Sequence, residues 1–215
     1  MSSTQLFRMS GISLLLGALF SLITALLSFF VNTSFTAPPA TFQSPLWSTY
    51  YSLSFASIAL TLIGLPAFYL CLRGQRGGRL GFFGLLFILV GSFLVLGMAG
   101  YFVSVLPVVA AKAPQILTAT LESGFGIFPL GGTLFLTIGT ILLGIAVLRA
   151  KVFPALTGYL LLAWAILNIV ALFSQSGLIL PIASAAAYGW IGMMLVQQAG
   201  VSGEAAAYQP QTALR

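Results

Sequence analysis

Charge is almost absent from this chain, and what there is falls between long apolar runs. The acidic residues are Glu122 and Glu204 alone, and there is no His. The eight Lys and Arg residues sit at Arg8, at Arg73, Arg76 and Arg79, at Lys112, at Arg149 and Lys151, and at Arg215. With 5% charged and 60% hydrophobic residues, the chain lies far from the roughly 25% charged composition of soluble domains. Folded in water, it would leave apolar surface with nothing to cover it. In lipid, a backbone must satisfy its own hydrogen bonds, and a helix of about 20 apolar residues crosses about 30 Å of hydrocarbon. An all-α, polytopic transmembrane helix bundle is therefore expected.

Six apolar runs are apparent, at about residues 7–31, 49–72, 80–108, 124–148, 155–173 and 178–196. Polar, Pro-bearing or basic segments separate them. The third run is longer than a straight crossing requires, so it must tilt, kink or end early. The first exceeds the 7–15 residues of a signal-peptide core, so it is read as a span. If the N-terminus is cytoplasmic, Arg8, the Arg73–Arg79 loop, Arg149, Lys151 and Arg215 all fall inside and only Lys112 falls outside. This positive-inside bias predicts six spans with both termini cytoplasmic. Residues 1–197 then form one bundle, and 198–215 a mobile tail without apolar period. The odd-numbered spans share a Gly followed by a Leu pair soon after their cytoplasmic entry, which three helical hairpins in parallel would produce. Common requirements at any such entry would produce it equally well.

When outer faces see lipid, small residues mark where helices approach. The first span carries Ser13, Gly17, Ser21 and Ala25 at four-residue spacing. The second carries Ser54, Ser57, Thr61 and Gly64, the fourth Thr133, Thr137, Thr140 and Gly144, and the sixth Ala185, Gly189 and Gly192. Two readings compete: helix packing with hydroxyls bonded to backbone, or a hydroxyl-lined path for an uncharged solute. Asn168 is the one amide well inside a span, and an unpaired amide in hydrocarbon is costly, so it should face the bundle. Trp47 fits an interface anchor. Around the fourth span's start, Glu122, Pro129, Gly131 and Gly132 make the most irregular stretch, with Lys112 ten residues upstream of Glu122. Pro181 interrupts the sixth span at comparable depth. Together with Asn168, these residues form a candidate ligand or partner site, by analogy with the broken helices of transporters. Arg73, Arg76 and Arg79 are candidates for anionic lipid headgroups.

Absences restrict the chemistry. Without His, a Ser-His-Asp triad and His-ligated metal or haem sites are impossible within the chain. No metal, cofactor or nucleic-acid partner is expected. The lone Cys71 precludes an intramolecular disulfide. The Arg8-Met-Ser-Gly11 entry, the Leu-rich spans and the run Leu62-Ile-Gly-Leu-Pro-Ala-Phe-Tyr69 resemble uncharacterised bacterial six-helix integral membrane proteins. That resemblance implies a location in the bacterial inner membrane and no particular activity. The expectation is a non-enzymatic accessory or scaffold subunit, with lipids, other membrane subunits or its own copies as partners. The alternative is a carrier or binding protein for an uncharged or lipophilic molecule.

Overall fold

A computed structural model describes residues 3–32, 37–117, 127–174 and 179–207. The regular elements of the described residues are all helices, without strands. The elements are α1 (Ser3–Leu27), α2 (Pro39–Phe42), α3 (Pro45–Leu72), α4 (Gly78–Ser104), α5 (Leu106–Lys112), a 3-10 turn at Pro114–Ile116, α6 (Ile127–Ala150), α7 (Ala155–Ser174) and α8 (Ile179–Ala207). Five helices are long and apolar enough to cross a membrane, and a shorter apolar helix spans Ala155–Ala171. The chain is accordingly a multi-pass membrane protein of the all-helical class.

Helix limits follow local chemistry. Ser44 caps α3 by accepting from the Trp47 backbone N–H at 3.2 Å, and Pro45 follows in the first turn, where its missing N–H costs nothing. The long third apolar run divides at Val105, because Pro107 cannot donate to a continuing helix. Gly74, at φ +86°, turns the chain from α3 into α4. Two sequence expectations are corrected. Pro181 does not interrupt a span: like Pro129, it is the third residue of its helix, where prolines are tolerated. The last helix does not stop at Val196 but continues to Ala207, through the strong helix formers Ala205–Ala207.

The six long helices close into a ring. Each packs on its neighbours in chain order, and α8 returns to lie against α1. Neighbours run antiparallel: Gly17 meets Ser57 and Thr61, Gly84 meets Gly139, Gly144 meets Gly158, and Gly11 meets Gly192. Taken in order, α1–α3, α4–α6 and α7–α8 are three hairpins set side by side, with their first helices pointing the same way. Glycines sit at these crossings because a Cβ there would meet backbone on the facing helix. The outer surface is apolar. Leu19, Leu26, Ile63, Phe93 and Ile166 are exposed where a soluble protein would carry charge.

Two buried clusters occupy the ends of the ring. One contains Leu14, Leu65, Phe68, Leu143, Leu161, Ile191 and Leu195, and it plugs the end that carries Arg8, Arg73, Arg76, Arg79, Arg149 and Lys151, all exposed. The other contains Val31, Phe42, Trp47, Tyr50, Phe102 and Leu106 and forms a cap at the opposite end. Trp47 is its centre: 0% exposed, stacked edge-on to Phe42 at 4.8 Å, with Nε1–H donating to the Phe102 carbonyl at 3.0 Å. It is therefore not the lipid-interface anchor expected from sequence. Its N–H is satisfied by backbone inside the cap rather than by water at the bilayer surface.

Candidate ligand-binding chamber

Between the two clusters all six long helices contribute to a partly open chamber of about 290 Å³. The hydroxyls come from Ser21 and Thr24 on α1, Tyr50, Ser54 and Ser57 on α3, Thr133 on α6 and Ser184 on α8. Apolar wall is contributed by Ile58, Val95, Met98 and Leu136, and α7 adds Trp164 and Asn168. A smaller pocket of about 70 Å³ adjoins it toward the basic end, sharing Ser57, Trp164 and Ser184 and adding Ser92 and Tyr188. The larger space holds about ten water-sized groups. Ligand pockets typically begin near 300 Å³. Among the described residues no charged side chain lines either space.

Most wall hydroxyls are committed to the scaffold. Ser57 Oγ donates to the Gly17 carbonyl at 2.8 Å and Ser13 Oγ to the Leu60 carbonyl at 2.7 Å, which ties α1 to α3. Ser21 Oγ donates to the Pro181 carbonyl at 2.9 Å and lies 3.2 Å from Ser184 Oγ, which ties α1 to α8. Thr24, Ser54 and Thr61 bond back to carbonyls one turn earlier in their own helices. These bonds satisfy polar groups that would be costly in hydrocarbon, and they fix the ring's register.

Asn168, 5% exposed, donates through Nδ2 to Thr137 Oγ1 at 2.9 Å, with the Thr133 carbonyl at 3.5 Å. It faces the bundle and bonds across helices, as its cost in lipid requires. Its carbonyl oxygen receives no hydrogen bond from the described residues. One turn earlier on α7, Trp164 is 7% exposed, and its Nε1–H is buried with no acceptor among the described residues. Its ring stands edge-on to Tyr188, 5.9 Å between centroids. Thr140 lies beside Tyr188, yet its hydroxyl has no partner at hydrogen-bonding distance among the described residues. A buried donor left unpaired costs about 1–3 kcal/mol. The α7 wall thus holds a donor and an acceptor with capacity to spare, an arrangement for hydrogen-bonding an uncharged polar group.

The residues singled out from sequence fall in several places among the described residues. Asn168 lines the chamber. Gly132 packs instead against Val95 and the Gly91 carbonyl, and a Cβ on Gly131 would touch Leu94 at 3.7 Å, so this Gly pair serves the α4–α6 crossing. Pro129 lies in the first turn of α6. Lys112 is exposed in the last turn of α5. Glu122 lies outside the described residues. Arg73, Arg76 and Arg79 are exposed at the other end of the bundle, where Arg79 borders a shallow groove with Tyr69, Phe82 and Phe83. Sequence reasoning missed Trp164, Tyr50 and Met98. Trp164 was detectable, because it precedes Asn168 by four residues and so shares its helical face.

No protein-family model, curated protein or solved structure matches the chain.

Proposed function

We propose that this is a six-span protein of the bacterial inner membrane, with both termini cytoplasmic, that binds an uncharged amphiphilic small molecule in the central chamber. The observation that carries the reading is a space walled by all six long helices, hydroxyl-rich, uncharged, and holding unpaired hydrogen-bonding groups on Trp164 and Asn168. As a sixth span, the 20 residues of α7 reach about 30 Å, the thickness of the hydrocarbon core. The exposed cations at one end match a cytoplasmic face, where Arg73, Arg76 and Arg79 would meet anionic headgroups at about 1 kcal/mol each. Binding is the activity we assign to the chamber, since its described lining is made of hydroxyl, amide, indole and apolar groups suited to holding an uncharged molecule.

A second reading, an accessory subunit of a membrane complex, is favoured by Gly97 and Gly100. A Cβ on either would meet nothing within 4 Å. Small residues facing no neighbour on a span suit a helix from another chain. Native mass spectrometry from mild detergent discriminates between the two. A retained small molecule that is lost from Ser184→Phe supports the chamber, whereas a retained protein with an empty chamber supports the accessory role. A bare, solitary monomer would sink both.

A further inference from the structure

One chamber residue also faces a second space. Met98 lines the central chamber and, equally, a lateral groove of about 240 Å³ on the flank of α4, formed with Phe93, Leu94, Gly97, Tyr101 and Phe128. The groove lies on the apolar flank: Phe93 is 67% exposed, Phe128 is exposed, and Gly97 leaves the space beside it open. At this level Met98 is the residue that the chamber and the lateral groove share. Methionine is unbranched, with three rotatable bonds, and rotamer changes are fast. Wall residues such as Val95, which is stiff at χ1, lack that freedom.

The inner end of the same route holds Trp164, shared between the chamber and the 70 Å³ pocket. Its N–H requires an acceptor oxygen, and the Asn168 carbonyl oxygen one turn away can still accept a hydrogen bond. A hydroxyl both accepts and donates, so it suits this pair. A carboxylate or ammonium would arrive as a buried charge with no counter-charge among the described lining residues. The indole N–H is covered in the present arrangement, so the ring must turn to pair, and the adjoining pocket gives it room.

Resting on the chamber reading above, we propose that Met98 is a lateral gate. An amphiphile bearing a hydroxyl end group and dissolved in the bilayer passes it from the groove, and its hydroxyl is taken by Trp164 and Asn168. The groove and the chamber lie in the half away from the basic end, so the ligand comes from the leaflet opposite the cations.

The test uses the whole protein in lipid nanodiscs with diazirine-bearing probes: a long-chain alcohol, the matching carboxylic acid, and a short water-soluble alcohol. Adduct positions are read by mass spectrometry after digestion. The long-chain alcohol should label α4 near Met98 and α7 near Trp164, displaceable by unlabelled alcohol, and the acid should label α7 at least about ten-fold less. Met98→Trp should slow α7 labelling by the long-chain probe while sparing the short one, and Met98→Ala should speed it. Trp164→Phe should weaken α7 labelling about ten-fold, the equivalent of one hydrogen bond. Long-chain labelling indifferent to both Met98 variants would overturn lateral entry and leave the chamber standing. Equal labelling of Trp164→Phe would remove the indole from recognition. Absence of α7 labelling by any probe would defeat the chamber reading itself.

Discussion

The ring depends on glycines that let backbones touch, and the α4–α6 crossing offers the sharpest measure of that dependence. A Cβ on Gly139 would lie 2.6 Å from the Ile88 nitrogen and 2.8 Å from the Gly84 carbonyl oxygen. A Cβ on Gly84 would lie 2.8 Å from the Leu143 nitrogen and 2.9 Å from the Gly139 carbonyl oxygen. These are backbone atoms, so no rotamer change relieves them. Optimal contact is about 3.5–4.0 Å, so Gly139→Ala must push the helices apart by about 1 Å. Overpacking of this kind costs about 1–3 kcal/mol, against which Ala recovers up to about 1 kcal/mol of helix propensity. Gly97, on the same helix as Gly84, supplies the control. With nothing within 4 Å of its added Cβ, Gly97→Ala should gain the propensity and lose nothing. The two variants should differ by the overpacking cost of about 1–3 kcal/mol, or roughly 3–9 °C in midpoint for a chain of this size. Thermal unfolding in one detergent, followed by fluorescence-detected size exclusion, reads the difference. Midpoints within about 2 °C of each other would refute the close approach of α4 and α6.

Trp47→Phe keeps the ring stacking in the cap but removes the indole N–H bond to the Phe102 carbonyl. It should cost about 1–1.5 kcal/mol, visible as a lower midpoint, and an unchanged midpoint would argue against the 3.0 Å bond. Single cysteines at Asn32 and Gln75, in a Cys71→Ser background, should react with a membrane-impermeant maleimide from opposite sides of inverted and right-side-out vesicles. Labelling of Gln75→Cys from outside whole cells would reverse the topology drawn from the cations.

Periodicity made the helices legible, because apolar runs of spanning length have few alternatives in lipid. The small-residue faces were legible too: Ser13 and Gly17 do meet α3, and Gly144 does meet α7. What such a face lacks is an address. Nothing in Gly11 or Gly192 says that each lies on the other, since a glycine reports only that something is near. The chamber was half visible for a related reason. Ser54, Ser57 and Thr133 stood out as hydroxyls, but whether they line a space or pack tightly depends on how the ring closes. Trp164 and Met98 resemble every other apolar residue in a lipid-facing helix until the neighbouring helices are in place. Trp47 misled because a Trp beside Pro45 at a helix start reads the same whether its ring meets headgroups or a cap folded over it. Gly131 and Pro129 misled in the opposite direction: irregularity in sequence became an ordinary first turn and a close crossing.

The contact between α1 and α8 bears on the order in which the molecule can be completed. Insertion proceeds from the N-terminus, so α1 enters the bilayer long before α8, its second neighbour in the ring, has been made. Until α8 emerges, the face of α1 bearing Gly11, Ala18 and Ser21 has no partner of its own chain, and the chamber lacks a wall. Hairpins α1–α3 and α4–α6 can form from sequential contacts, whereas closure joins residues as distant as Ser21 and Ser184, 163 positions apart, and Gly11 and Gly192, which are farther still. Contacts of such separation form late. A nascent chain therefore presents an open arc with an uncovered glycine face to the membrane and to any insertion factor, and the binding-competent ring exists only after the final helix has been made.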